Sequence, residues 1–283
     1  MTTAPVLNSR DFYDRQAALY EVMNDWPSRL SFELPFIQRA LEQSRAQAVL
    51  DVACGGGHHA IALARQGYAV SGADISAEML DLARRNAAEA GVSVRFEQSS
   101  FADLGARFNQ AFDVVLCLGN SLPHVLTEAE QLAALTAMHD RLRTGGVLIL
   151  QNLNYDLRWK NRPRFFALNP VTLDGRTSLI WRMADYHDPG TRVAGLDGPC
   201  PEPGLITFHI ATLEPEASGK TQAAEIKWQA TVKSTLQRPL FARDLTRWLA
   251  QVGFEDVALF GGMDATPFDS DSSPDLVIVA RKS

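Results

Sequence analysis

From residue 46 the chain alternates short, continuous apolar runs with stretches whose apolar residues recur every three or four positions. Residues 48–54 (Ala-Val-Leu-Asp-Val-Ala-Cys) run apolar into a cluster of glycines, the mark of a strand buried on both faces. The pattern predicts a helix over 58–66 closed by Gly67, then a strand over 68–74. Ser76 is placed to N-cap a helix that lines up Leu80, Ala83 and Ala87 and ends at Gly91. Strands follow over 92–96 and 112–118. Thr127 with Glu130 forms a capping box, opening a helix that carries Leu132, Leu135, Met138 and Leu142 and stops at Gly145-Gly146. A fifth strand follows over 147–151. Strands and helices in this rhythm imply a parallel sheet with helices on both faces.

The flanks read differently. Residues 11–41 mix charges with Phe12, Tyr13, Tyr20, Trp26, Phe32 and Phe36, and their spacing predicts two short helices broken near Pro27. Over 158–238 Pro, Gly and Thr are frequent and apolar residues alternate, most clearly Ile226, Trp228, Ala230 and Val232, which suits antiparallel strands with one wet face. Helical spacing returns over 243–252, capped by Gly253, and runs 257–260 and 276–280 predict two closing strands. The expected organisation is a helical N-terminal cap over 1–45, a doubly wound α/β core over 46–157 and 239–283, and an inserted antiparallel β lid over 158–238.

Composition narrows the function classes. The 283 residues are 46% apolar and 21% charged, with 27 Lys+Arg against 33 Asp+Glu and a net charge of −6. That balance argues against disorder and against broad binding to a phosphate backbone, which needs clustered cations. The three cysteines, Cys54, Cys117 and Cys200, are too few and scattered for a disulfide framework or zinc site, and Cys54 and Cys117 read as small core residues. The start lacks a basic-then-apolar signal, and apolar runs stay well short of roughly 18 residues. The expectation is a soluble, cytoplasmic protein with a small-molecule partner and no nucleic-acid or membrane partner; oligomerisation is left open. His58-His59 invites a metal reading, but adjacent helical side chains point about 100° apart, so both are expected at a surface or edge.

The chemistry concentrates at a strand-to-helix turn, where Asp51-Val-Ala53-Cys-Gly55-Gly-Gly57 is followed by Asp74 at the end of the next strand. Glycines there let the main chain approach a ligand, and a carboxylate at that strand end can accept both hydroxyls of a ribose. A nicotinamide dinucleotide would use a similar turn. An acid just ahead of the glycines is unwelcome beside a pyrophosphate, and suits an ammonium-bearing ligand.

On these residues the chain resembles class I S-adenosylmethionine-dependent methyltransferases, which implies a seven-stranded, doubly wound Rossmann-like methyltransferase sheet with a reversed last strand. Cys117-Leu-Gly-Asn-Ser121, His124 and Asn154-Tyr155-Asp156 resemble motifs of the glycine and sarcosine N-methyltransferase branch. The resemblance implies S-adenosylmethionine as cofactor. Asp51, Ala53, Gly55 and Gly57 would meet its methionine half, Asp74 its ribose, and Ile75 its adenine, with Met79, Ser100, Phe101 and Leu118 alongside and Tyr20 and Arg29 covering from the N-terminal segment. It also implies Asn120, Asn154, Tyr155 and Arg182 as contacts of a small acceptor, with Tyr155 or His124 taking its proton. An O-methyltransferase of a larger metabolite, a nicotinamide-dependent oxidoreductase and a non-catalytic cofactor-binding regulator are the competing readings. The aromatic residues Trp159, Phe165, Phe166 and Trp181 speak for the first of these.

Overall fold

The computed structural model describes residues 5–173, 175–215 and 228–283. They divide into two compact units, Trp26–Asn161 with Arg238–Ser283, and Met1–Asp25 with Arg162–Gln237.

The larger unit is built on a seven-stranded sheet in the order Phe254–Phe260, Asp275–Lys282, Leu142–Leu153, Phe112–Cys117, Ala48–Val52, Ala69–Asp74, Arg95–Gln98. The central strands pair in parallel, while Asp275–Lys282 runs against both neighbours. The apolar runs become strands because both sheet faces are covered. Val49, Leu50, Val114, Leu116 and Ile149 are fully buried, and each such side chain contributes roughly 1.5–3 kcal/mol. Ser76 Oγ accepts from Met79 N–H at 3.1 Å, and Thr127 Oγ1 accepts from Glu130 N–H at 3.2 Å, so both predicted caps form.

Boundaries move where backbone closure outranks hydrophobic pattern. The third strand is Arg95–Gln98 rather than 92–96, because Gly91 turns left-handed (φ 68°) and Val92 N–H returns to Ala87 O, ending the helix before it. The fifth strand begins at Leu142, and Gly145-Gly146 lies within it instead of stopping the helix. A Cβ on Gly146 would come within 2.8 Å of Arg143 O, so a side chain has no room there.

The N-terminal cap expected over 1–45 is not a single body. Trp26–Gln43 is one helix of the larger unit, with Phe36, Ile37 and Leu41 in the sheet's core. The expected break near Pro27 falls at Asp25, and Pro27 sits in the helix's first turn, where a missing N–H is tolerated.

The smaller unit carries a five-stranded sheet in the order Val6–Leu7, Trp228–Gln237, Leu205–Pro215, Arg176–His187, Phe165–Leu173. It is antiparallel except where Val6–Leu7 joins. The helices Ser9–Asp14 and Ala17–Met23 supply Phe12 and Leu19 to a core with Val171, Ile180 and Ile210. Of the alternating apolar set, Ile226 lies outside the described residues, and Trp228 and Val232 are exposed at 45% and 36%. The apolar side of that strand end is therefore not buried.

Candidate functional site

The turn after Ala48–Val52 is built by three left-handed residues, Ala53 (φ 60°), Gly55 (φ 53°) and Gly57 (φ 78°). A non-glycine residue held there costs about 1–3 kcal/mol, a strain that functional sites tend to retain. Gly57 has a packing reason of its own: a Cβ would lie 2.9 Å from Phe96 and 3.0 Å from Ala83. It closes the helix against its neighbours.

Asp74 is fixed by this turn. Gly55 N–H donates to its Oδ2 at 2.8 Å and Ser76 N–H to its Oδ1 at 2.9 Å. These two bonds fix the carboxylate at the carboxyl end of its strand, where such an acid can accept the hydroxyls of a ribose. Ile75 is half-buried and Met79 buried beside it. Ser100 and Phe101 are half-buried and Leu118 is buried. Ser100 Oγ donates to Asp103 Oδ2 at 2.7 Å, bringing in an acid three residues on that the motif reading missed.

Asp51 is 2% exposed, and its Oδ2 has no hydrogen-bond partner among the described residues. Burial pushes its carboxyl up to about 6; His59, the Ala60 N–H and Arg29 act against that, while Asp74's charge adds to it. A buried carboxylate oxygen without a donor is an unmet requirement that an ammonium would satisfy.

His59, expected at an edge, is buried and bonds through Nε2 to Glu33 Oε2 at 2.6 Å. Arg29 donates from Nε to Glu33 Oε1 at 3.0 Å, four residues apart on one helix face. Burial alone would push Glu33 up, but His59 and Arg29 hold it below the usual carboxylate range. Trp26 stacks on His58 with ring centres 4.0 Å apart and lies 5.1 Å beneath the Arg29 guanidinium.

At the neighbouring strand ends, Gln151 Oε1 accepts from Gly119 N–H at 3.1 Å and Gln151 Nε2 donates to Asp275 Oδ2 at 3.2 Å. Burial raises Asp275, and the charges of Glu33, Arg158 and Arg29 all reach it. Asn120, left-handed at φ 64°, donates from Nδ2 to Tyr155 Oη at 2.9 Å and accepts Leu153 N–H at 3.1 Å. Tyr155 is buried, and His124 closes the short 3-10 turn Leu122–His124.

Asn154 corrects the sequence reading. Its Nδ2 faces the carbonyls of Asp269, Ser270 and Ser273 at 3.4, 3.1 and 2.9 Å, and its Oδ1 accepts Leu157 N–H at 3.2 Å. Both ends of the amide are engaged by backbone, so it pins the 269–273 loop and caps the helix Tyr155–Asn161 instead of facing an acceptor. Tyr20 and Arg182 belong to the smaller unit. Tyr20 packs edge-on to Tyr13 at 6.0 Å, and Arg182 pairs in register with Ile210. Trp181 there stacks on Phe165 at 5.3 Å, whereas Trp159 lies in the larger unit, 6.4 Å from Phe241.

Residues 49–146 match a family model described as a methyltransferase domain. A glycine/sarcosine N-methyltransferase of Parasynechococcus marenigrum is 38% identical over 146 residues, 52% of this chain and 50% of that protein. A ubiquinone biosynthesis O-methyltransferase of Xanthomonas axonopodis pv. citri is 36% identical over 154 residues, 54% and 60% of the two chains. The chain thus spans about half the length of the glycine/sarcosine N-methyltransferases it matches. The crystal structure of a S-adenosylmethionine-dependent methyltransferase from Clostridium acetobutylicum shares the fold, with a TM-score of 0.70 at 16% identity over 96% of this chain and 98% of that one. A putative methyltransferase of Geobacillus sp. is 32% identical over 172 residues, 57% of this chain and 67% of that protein. With the seven-stranded sheet, its reversed strand and the turn bracketed by Asp51 and Asp74, this likeness shows that the chain belongs to the class I S-adenosylmethionine-dependent methyltransferases.

Proposed function

We propose that this protein transfers a methyl group from S-adenosylmethionine to the amine of a small acceptor of the glycine or sarcosine type. The observation that carries the cofactor half of this reading is the buried, partnerless Oδ2 of Asp51 beside the backbone-held carboxylate of Asp74. In it, Asp51 receives the α-ammonium, Arg29 the α-carboxylate and Asp74 the ribose hydroxyls. Ala53 and Gly55 bring the main chain close, while Ile75, Met79, Ser100, Phe101 and Leu118 line the adenine. Gly57 shapes the turn.

When bound, S-adenosylmethionine supplies an already activated methyl group, so the chain's own task is alignment, exclusion of water and handling of one proton. Asp51 and Asp74 act at the cofactor's tail and ribose rather than on the charge that is lost on transfer, so they hold the donor without opposing the reaction. Tyr155, oriented by Asn120, positions the acceptor nitrogen, and His124 or Tyr155 passes on its proton. The amine preference is supported by the C-L-G-N-S-x-x-H and N-Y-D motifs and by the similarity to glycine/sarcosine N-methyltransferases. Release of S-adenosylhomocysteine with glycine, sarcosine and phenolic acceptors tests the reading. Turnover with the amines supports it, and turnover confined to phenols overturns it in favour of O-methylation.

A further inference from the structure

From sequence, His58 and His59 are expected at a surface or edge. Instead, His59 is buried in the larger unit, against a carboxylate from a different element. Its Nε2 lies 2.6 Å from Glu33 on the helix Trp26–Gln43. The N–H of Ala60, the next residue, bonds to Asp51 at the end of its strand, and there the His59 charge is the strongest influence opposing burial. Glu33 in turn holds Arg29 at 3.0 Å, and Trp26 locks the start of the same helix against His58 and edge-on to His59, 6.1 Å between ring centres. The result is a row of polar side chains: Arg29, Glu33, His59, Asp51. Its Asp51 end carries the oxygen without a partner. A row whose internal members satisfy one another, and whose terminal acid stays unmet, is organised around a ligand cation rather than around folding alone.

We propose that His59, held by Glu33, is a positioning residue for the amino-acid tail of the cofactor: it supports the Asp51 carboxylate that receives the α-ammonium while Glu33 sets the Arg29 guanidinium for the α-carboxylate. The inference rests on the cofactor assignment made under Proposed function. It adds two residues that touch no ligand themselves and assigns them one half of the cofactor. The nucleoside half, held from Asp74 and the following strand ends, lies outside their influence.

Two probes separate the halves. S-adenosylhomocysteine carries the amino-acid tail, and 5′-methylthioadenosine has the same thioether nucleoside without it. Calorimetric titration of the full chain with each, for the native protein, His59→Gln and Glu33→Gln, tests the proposal. Both variants are expected to lose about tenfold or more in affinity for S-adenosylhomocysteine, the scale of a hydrogen bond to a charged group, while 5′-methylthioadenosine binds within about twofold of native. Retained binding of 5′-methylthioadenosine doubles as the check that the variant is folded. Equal weakening of both probes in both variants, or loss of neither, overturns the role of His59. Failure of the native protein to bind either probe overturns the cofactor assignment, and this inference with it.

Discussion

Asp51 is the residue whose surroundings say most about the ligand. Its carboxyl sits at about 6, raised mainly by burial, so an ammonium ligand that needs the ionised form is bound less well as pH falls through that value. Cofactor affinity is expected to fall by up to about tenfold per pH unit below pH 6, and Asp51→Asn should bind weakly with that dependence gone; titrations from pH 5 to 8 check this. In the ligand-free protein the sign is reversed. The folded state holds its proton more tightly than the unfolded chain, so this group's contribution to stability declines as pH rises from about 4 to about 6 and stays lost above. Tyr155→Phe keeps the ring but removes the hydroxyl that Asn120 orients, so kcat should fall at least about tenfold with S-adenosylhomocysteine affinity unchanged. Equal loss in both would move Tyr155 to the cofactor. Asn154→Ala removes an amide that faces three carbonyls and caps a helix. A stability loss of about 2–3 kcal/mol in denaturant unfolding, with cofactor affinity kept, is the expected outcome.

Among elements, the strand–turn–helix units were readable because each carries its own signals: apolar run, glycines, caps. Ser76 and Thr127 cap where their spacing says. What could not be read is pairing at distance. Glu33 and His59 stand 26 residues apart and Gln151 and Asp275 stand 124 apart, and no local periodicity links either pair. Asp275 reaches the site only because its strand runs in the reverse sense, which puts its first residue beside Leu153. The i, i+4 spacing of Arg29 and Glu33 was the one signal available for the buried acid, and an exposed surface pair reads the same way. Gly57 shows why a motif residue need not be a contact residue: Gly57→Ala meets Phe96 and Ala83 at a left-handed φ, and should cost about 2 kcal/mol or more in denaturant unfolding.

For the molecule as a whole, the alternation of apolar runs with helically spaced stretches was enough to place it among α/β folds, and the resemblance to the family rests on the turn and its two acids. The division of the N-terminal segment was not legible, because apolar residues on both sides of Asp25 look alike in sequence and differ only in which core they enter: Phe12 and Leu19 one, Phe36 and Ile37 the other. No helix among the described residues is long and apolar enough to cross a membrane. The account's central claim is that the carboxylates of Asp51 and Asp74 grip opposite halves of S-adenosylmethionine. Calorimetric titration of S-adenosylmethionine into the native protein and Asp74→Ala tests it most directly. A single site in the native chain with affinity reduced about a hundredfold in the variant, as expected for losing a charged acceptor of paired hydroxyls, is the predicted result. Native-like affinity in Asp74→Ala would contradict it.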